Sequence, residues 1–376
     1  MHIDVALIEL GVIMLTLAVV GRIAARIGLP TIPLFLLAGL FFCDGGVFPV
    51  TEARDFVEVG SSLGVVFLLF MLGLEYTPVE LRQSLRRNAP VGVLDIVFKA
   101  TPGVVAAALI LGWGPLAAAV LGGITYISST GIVAKLLIDL KRLGNRETPT
   151  VLSVLVLEDL VMAIFLPVIA VLLASGSVTS GVISGVAAVL IVGAVLQFSP
   201  YATSHVNRLV DSHSAELLLF TLLGLATVVA GLAERANVSY AIGAFLLGIV
   251  LSGQVAERAR EMLVPLRDAF AALFFVNFGL GIDPASLLSV AGPAGALVAV
   301  GVVSKFATGW IAARRAGSAI AGARRAGVTL IARGEFSIVL AGIGVAGGIT
   351  SDLGTLTMAY VLGLAIVGSL ATRLMR

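Results

Sequence analysis

"VLSVLVLEDLVMAIFLPVIAVLL", residues 151–173, is long and apolar enough to cross a bilayer, yet Glu158 and Asp159 stand side by side near its centre. A membrane helix needs about 20 apolar residues to cross a hydrocarbon core of about 30 Å. A charged side chain at mid-bilayer costs about 3 kcal/mol even on a lenient insertion scale, so two adjacent acids there imply a use and a partner. Successive helical residues differ by about 100°, so the two carboxylates cannot share one direction. One can face a water-filled cavity while the other faces a neighbouring helix. A carboxylate balanced between burial and a nearby cation exchanges protons near neutral pH, as a proton carrier must.

The rest of the chain is built the same way. Of its 376 residues, 59% are hydrophobic and only 12% charged, with a mean hydropathy of +1.10; soluble domains carry about 25% charged residues. Apolar runs recur from end to end, which makes this an all-α polytopic membrane protein. The short alternating segments of a β-barrel are missing. The opening "MHIDVALIEL" has two acids and no basic start, and reads as a retained first span rather than a cleaved signal. One cysteine excludes an intrachain disulfide and a cysteine zinc site, and three scattered histidines do not suggest a metal centre. A net charge of +2 argues against a nucleic-acid partner. No Walker or glycine-rich phosphate loop is present, which argues against a self-contained ATP-driven pump and leaves no cofactor to expect. The chain ends just after its last apolar run, so any soluble regulator is expected to be a separate cytosolic subunit.

Polar and Gly/Pro-rich breaks divide the sequence into about thirteen expected spans. They lie near 4–27, 31–49, 56–74, 88–112, 114–139, 147–174, 178–198, 213–234, 238–252, 261–281, 285–314, 322–347 and 352–374. Alternate loops collect 18 of the 24 Lys and Arg, whereas the opposite loops hold only Arg54 and Arg235. Cytoplasmic loops are the ones enriched in these residues. The N-terminus is therefore expected outside and the C-terminus in the cytoplasm of a multi-pass cell-membrane protein.

The remaining four basic residues, Lys99, Lys135, Lys305 and Arg333, fall inside spans. Lys305 lies nine residues before Arg314, too deep for snorkelling alone, and its expected partner is Glu158 or Asp159. Arg333 and Glu335 flank Gly334 in "IARGEFSIVLAGIG" (331–344), which suggests an interrupted helix. "GGITYISSTGIVAKLL" (122–137) reads alike, with Ser128, Ser129 and Thr130 among glycines. Irregular backbone at membrane depth is tolerated where it lines a cavity or protein. Hydroxyls and freed carbonyls there suit a hard monovalent cation, although small residues serve close helix packing equally well. Asp95 with Lys99, and Lys135 with Asp139, are spaced i,i+4 and read as structural ion pairs.

The two interrupted spans, five and twelve, are seven helices apart. An odd offset reverses orientation, so spans 4–6 and 11–13 are expected to form inverted-topology repeats with two crossed, interrupted helices near the midplane. Helix-end dipoles would meet there, with Lys305 and Arg333 adding fixed positive charge. The residues alone thus describe a cation transporter with protonatable acids at its site.

The motifs "GLPTIPLFLLAGLFF" (28–42), "LFMLGLEY" (69–76), "ISSTGIVAKLL" (127–137), "LEDLVMAI" (157–164), "AIGAFLLGIVLS" (241–252), "FFVNFGLGID" (274–283), Lys305 and "GEFSIVLAG" (334–342) occur in this order. In them the chain resembles the monovalent cation–proton antiporter family, particularly its bacterial Kef-type and NapA-like branch, along nearly its whole length. The resemblance implies a sodium–proton antiporter-like fold and a homodimer in the lipid bilayer. Residues 88–174 and 285–374 would form a mobile core, and 4–74 and 178–281 mainly a dimerisation part. It also implies elevator-like exchange of one cation, K+ before Na+, against H+. By the same resemblance Asp159 binds the cation and the proton. Glu158 takes a position that is Asp, Asn or Gln in relatives, and Lys305 matches the lysine that pairs with this acidic motif in electrogenic members. Thr130, Ser129 and Ser128 form the unwound stretch, and Glu335 is an acid on the second crossing helix. Because Glu158 departs from the relatives and can itself titrate, the number of protons per cation stays open. The competing readings are a cation channel and a Na+-coupled symporter of a small organic anion, for which Arg333 would be the anion ligand. An enzyme is not expected, since no His-Glu metal motif or Gly-x-Ser-x-Gly element is present.

Overall fold

In a computed structural model, residues 2–27, 30–74, 95–174, 206–208, 210, 212, 214–235, 240–251 and 253–375 are described. Regular structure among them is helical throughout, as a lipid environment demands of a backbone that must satisfy its own hydrogen bonds. The helices are α1 (Ile3–Ile27), α2 (Thr31–Phe42), α3 (Arg54–Leu74), α4 (95–105, ending in a π turn at Ala106–Ile110), α5 (Pro115–Tyr126), α6 (Thr130–Asp139) and α7 (Thr148–Ala174). They continue as α8 (Ala215–Arg235), α9 (Tyr240–Val250), α10 (Gly253–Leu280), α11 (Ser286–Ser289), α12 (Ala291–Arg315), α13 (Ile320–Thr329), α14 (Glu335–Ala346) and α15 (Asp352–Leu374). Seven of these are long and apolar enough to cross a membrane unaided, namely α1, α3, α7, α8, α10, α12 and α15.

Twelve of the thirteen expected spans coincide with helix, and the span at 178–198 lies outside the described residues. Two boundaries differ. The span at 31–49 ends as helix at Phe42, because Asp44, Gly45 and Gly46 turn the chain back. The span at 261–281 begins at Gly253, so Glu257, Arg258 and Arg260, read from sequence as loop, extend a helix beyond its apolar stretch.

The chain divides into two compact units. One comprises Asp55–Ala89 and Leu160–Phe274. Its core is a cluster of Phe67, Phe70, Met71, Leu218, Leu222 and Leu263, and α3 meets α9 so closely that a Cβ on Gly73 would lie 2.3 Å from the Phe245 carbonyl oxygen. The other comprises Met1–Arg54, Pro90–Asp159 and Phe275–Arg376. Within it α12 packs on α13 and α15, and α14 packs on α5 and α15. Both interrupted helices belong to this unit, α5 and α6 forming one and α13 and α14 the other.

The two interruptions mirror each other. The first span is cut into halves of 12 and 10 residues, the second into halves of 10 and 12. The two longer halves, α5 and α14, pack together, the arrangement expected of two spans running in opposite directions.

Candidate ion-binding site

The two breaks touch. Ser129 N–H donates to the Ala332 carbonyl at 3.0 Å, and the Ser128 hydroxyl lies 3.2 Å from the Leu330 carbonyl oxygen. Gly334 is required at the crossing, since a Cβ there would stand 2.4 Å from Ser129 Oγ. Four helix ends therefore converge, with the positive ends of α6 and α14 and the negative ends of α5 and α13 facing one another.

Fixed cations occupy the negative end of α5. Lys305 Nζ donates to the Tyr126 carbonyl and, at 2.8 Å, to Ser128 Oγ. The Arg333 guanidinium donates to the Thr125 carbonyl and, at 3.2 Å, to Ser128 Oγ, with Tyr360 OH 3.4 Å from Nε. Ser337 Oγ donates to the Ile124 carbonyl at 3.0 Å. The freed carbonyls expected to hold a transported ion are thus bound by the protein's own donors at Ile124, Thr125, Tyr126, Leu330 and Ala332. The sequence marks where the backbone opens, but not what fills the opening.

The adjacent acids of α7 straddle the first break. Asp159 lies eleven residues into this helix, roughly 17 Å along it and near mid-span. Glu158 accepts the Ser128 N–H through Oε2, and its Oε1 lies 2.5 Å from Lys99 Nζ and 3.1 Å from Lys305 Nζ. Asp159 instead accepts the Thr130 hydroxyl at 2.8 Å, two residues further along the break. The angular offset of neighbouring helical positions aims one carboxylate to each side. The lysine partner is therefore Glu158, not Asp159, and Glu158 is fully buried. Across the crossing, Ser129 Oγ donates to Glu335 Oε2 at 2.9 Å.

Every candidate residue read from sequence, Glu158, Asp159, Ser128, Ser129, Thr130, Lys305, Arg333 and Glu335, falls in this one cluster. One correction concerns Asp95 and Lys99. They do pair, but Lys99 also reaches Glu158, 59 residues away, so the pair belongs to the site. Its helix is held there because Gly103 packs with no room for a Cβ, the Leu121 carbonyl oxygen lying 2.3 Å from where one would be. A second lysine within a span was the available signal. The side chains of Lys135 and Asp139 lie outside what the structure describes.

A further ion pair closes the basic end of the interrupted helices. Arg325 Nε of α13 donates to Glu147 Oε1 at 2.6 Å, and Asn145 Nδ2 donates to the same oxygen at 3.1 Å. Burial alone would push the Glu147 carboxyl up, but the Arg325 and Asn145 hydrogen bonds and the Arg325 charge hold it below the usual carboxylate range.

This arrangement of oxygen ligands and fixed charges suits a dehydrated monovalent cation competing with a proton. Comparison with known proteins agrees. Residues 12–375 match the model of the transmembrane sodium/hydrogen exchanger family. The chain is 34% identical to the K(+)/H(+) antiporter subunit KhtU of Bacillus subtilis, over 98% of this chain and 93% of that protein. It is 30% identical to the ammonium/H(+) antiporter subunit AmhT of Alkalihalophilus pseudofirmus, over 97% and 92%. The fold is that of the sodium proton antiporter MjNhaP1 from Methanocaldococcus jannaschii, with a TM-score of 0.69 at 17% identity, covering 99% of this chain and 95% of that one. The chain thus belongs to the sodium/hydrogen exchanger family, membrane-spanning antiporters of monovalent cations and protons rather than enzymes.

Proposed function

We propose that the protein exchanges K+ for H+ across the cell membrane, with Asp159 binding either ion in turn. The observation that supports this most directly is the Asp159–Thr130 contact at the crossing of the two breaks, beside a Glu158 clamped by lysines. Deprotonated Asp159, the Thr130 and Ser129 hydroxyls and Glu335 supply oxygens for a cation that has shed water. Ser128 plays a different part, its hydroxyl joining Lys305 and Arg333 to the break. A proton on Asp159 removes the charge that attracts the cation, and this competition couples the two fluxes.

K+ is favoured over Na+ because the "ISST" stretch resembles Kef-type members, and the relatives named for K(+) and for ammonium handle ions of similar size. An elevator-like movement of the core in a homodimer is what the family resemblance implies, and the basic loops favour an N-terminus outside. The relatives named as subunits support a separate cytosolic regulatory partner.

The test is proton flux in proteoliposomes containing a pH dye. Addition of K+, Na+ or Li+ to wild-type protein should move protons, K+ most effectively, and Asp159→Asn should abolish the response. Full exchange in that variant would remove Asp159 from the mechanism. A cation leak without proton movement would favour a channel.

A further inference from the structure

Lys99 and Asp95 are charged residues at the site that neither bind the ion nor meet the break in this exchange reading. The Lys99 ammonium group is fully buried and pairs on one side with Asp95 Oδ1, one helical turn earlier. An i,i+4 pair of this kind is complete in itself. Lys99 nevertheless extends to Glu158 Oε1, the same oxygen that Lys305 approaches from α12. With both ammonium groups on Oε1, the second oxygen, Oε2, accepts the Ser128 N–H at the break. Glu158 is thereby held from three directions: α4, α12 and the first break. Asp159 follows it directly on α7, so the orientation fixed at Glu158 sets the direction in which Asp159 meets Thr130.

We infer that Lys99, braced by Asp95, is a positioning residue for ion exchange: it shares Glu158 Oε1 with Lys305 and so fixes the geometry of Asp159 against Thr130. This rests on the exchange reading of Asp159.

The experiment uses the full chain in proteoliposomes, with K+ as the probe and internal pH as the readout. Breaking a buried ion pair by removing one partner strands a charge, whereas neutralising both partners is tolerated. Asp95→Asn/Lys99→Gln is therefore the informative variant. It should stay folded and monodisperse in detergent, while its apparent KM for K+ rises about tenfold, equivalent to about 1.4 kcal/mol. A purely structural pair would leave KM unchanged, and that result overturns the inference. Should the double variant not fold, Lys99→Arg decides with Asp95 and every charge intact, because a planar guanidinium cannot share Oε1 with Lys305 in the same geometry. A raised KM supports positioning through Glu158, and a wild-type KM there overturns it. Failure of the exchange reading itself is separate, appearing as no cation-dependent proton movement in wild-type protein.

Discussion

Two neighbouring carboxylates point into different surroundings. Glu158 meets two ammonium groups and a backbone N–H, and, one residue on, the Thr130 hydroxyl donates to Asp159. Ionic contacts to two lysines suit a fixed anchor, and on the proposed reading Asp159 is the group that releases and rebinds an ion. On that reading the Thr130 hydroxyl is part of the ion's own shell. A hydrogen bond to a charged group contributes about 1.5–3 kcal/mol. Thr130→Val, which keeps shape and removes that donor, should raise the apparent KM for K+ about tenfold with little change in Tm. Cation titration of the reconstituted variant measures it, and an unchanged KM would reduce Thr130 to a helix-starting residue. At this scale the sequence reveals the acids, because charges within an apolar run stand out. It does not separate their partners. Lys99 already had a sufficient explanation four residues away in Asp95, and linear spacing offers no measure of its approach to Glu158.

The breaks are the elements on which the site depends, and glycine makes their crossing possible. Gly334→Ala would place a methyl group 2.4 Å from Ser129 Oγ and 2.7 Å from Ser129 Cβ, closer than real Cβ contacts allow. The backbones must separate, loosening the Ser129–Ala332 hydrogen bond. Exchange should be lost while the protein still inserts, which comparing flux with membrane-extracted yield would establish; normal flux would mean the crossing tolerates a wider spacing. The Glu147–Arg325 pair fixes one end of the same elements. Its carboxyl is held low in the folded protein, so its stabilisation is present above the unfolded carboxylate value and disappears as pH falls through the lower folded one. Glu147→Gln should therefore lose about 1 kcal/mol at pH 7, and the difference in Tm from wild type should close in acid below about pH 4. A difference that persists in acid would assign the loss to packing around Gly322 instead. The interruptions were legible because Gly and clustered hydroxyls punctuate otherwise continuous apolar runs. The early start of α10 was not, since Glu257, Arg258 and Arg260 look like loop when polarity alone is read, although a helix can continue past the hydrocarbon.

Over the whole molecule, the seven-helix offset between the interrupted spans was enough to anticipate a mirrored pair, and the half-helix lengths of 12, 10, 10 and 12 residues bear out that symmetry. Charge balance within the pair was less visible, because it required Lys99 and Asp95 to be counted with the site. Among the side chains described at the crossing, Asp95, Glu158, Asp159 and Glu335 bring four formal negative charges, against three positive from Lys99, Lys305 and Arg333. The cluster thus carries one formal negative charge when Asp159 is empty. Either one monovalent cation or one proton brings it to neutrality. A charged cluster is costly to carry through a low-dielectric region, so the two loaded states should cross readily while the empty state stays behind. The balance predicts one-for-one, electroneutral exchange. In proteoliposomes at one fixed K+ gradient, the rate of proton movement should be the same with and without valinomycin, which imposes a potential at that gradient. A rate that rises with voltage would mean that net charge crosses in each cycle, and that the Glu158–lysine contacts open to admit a second proton.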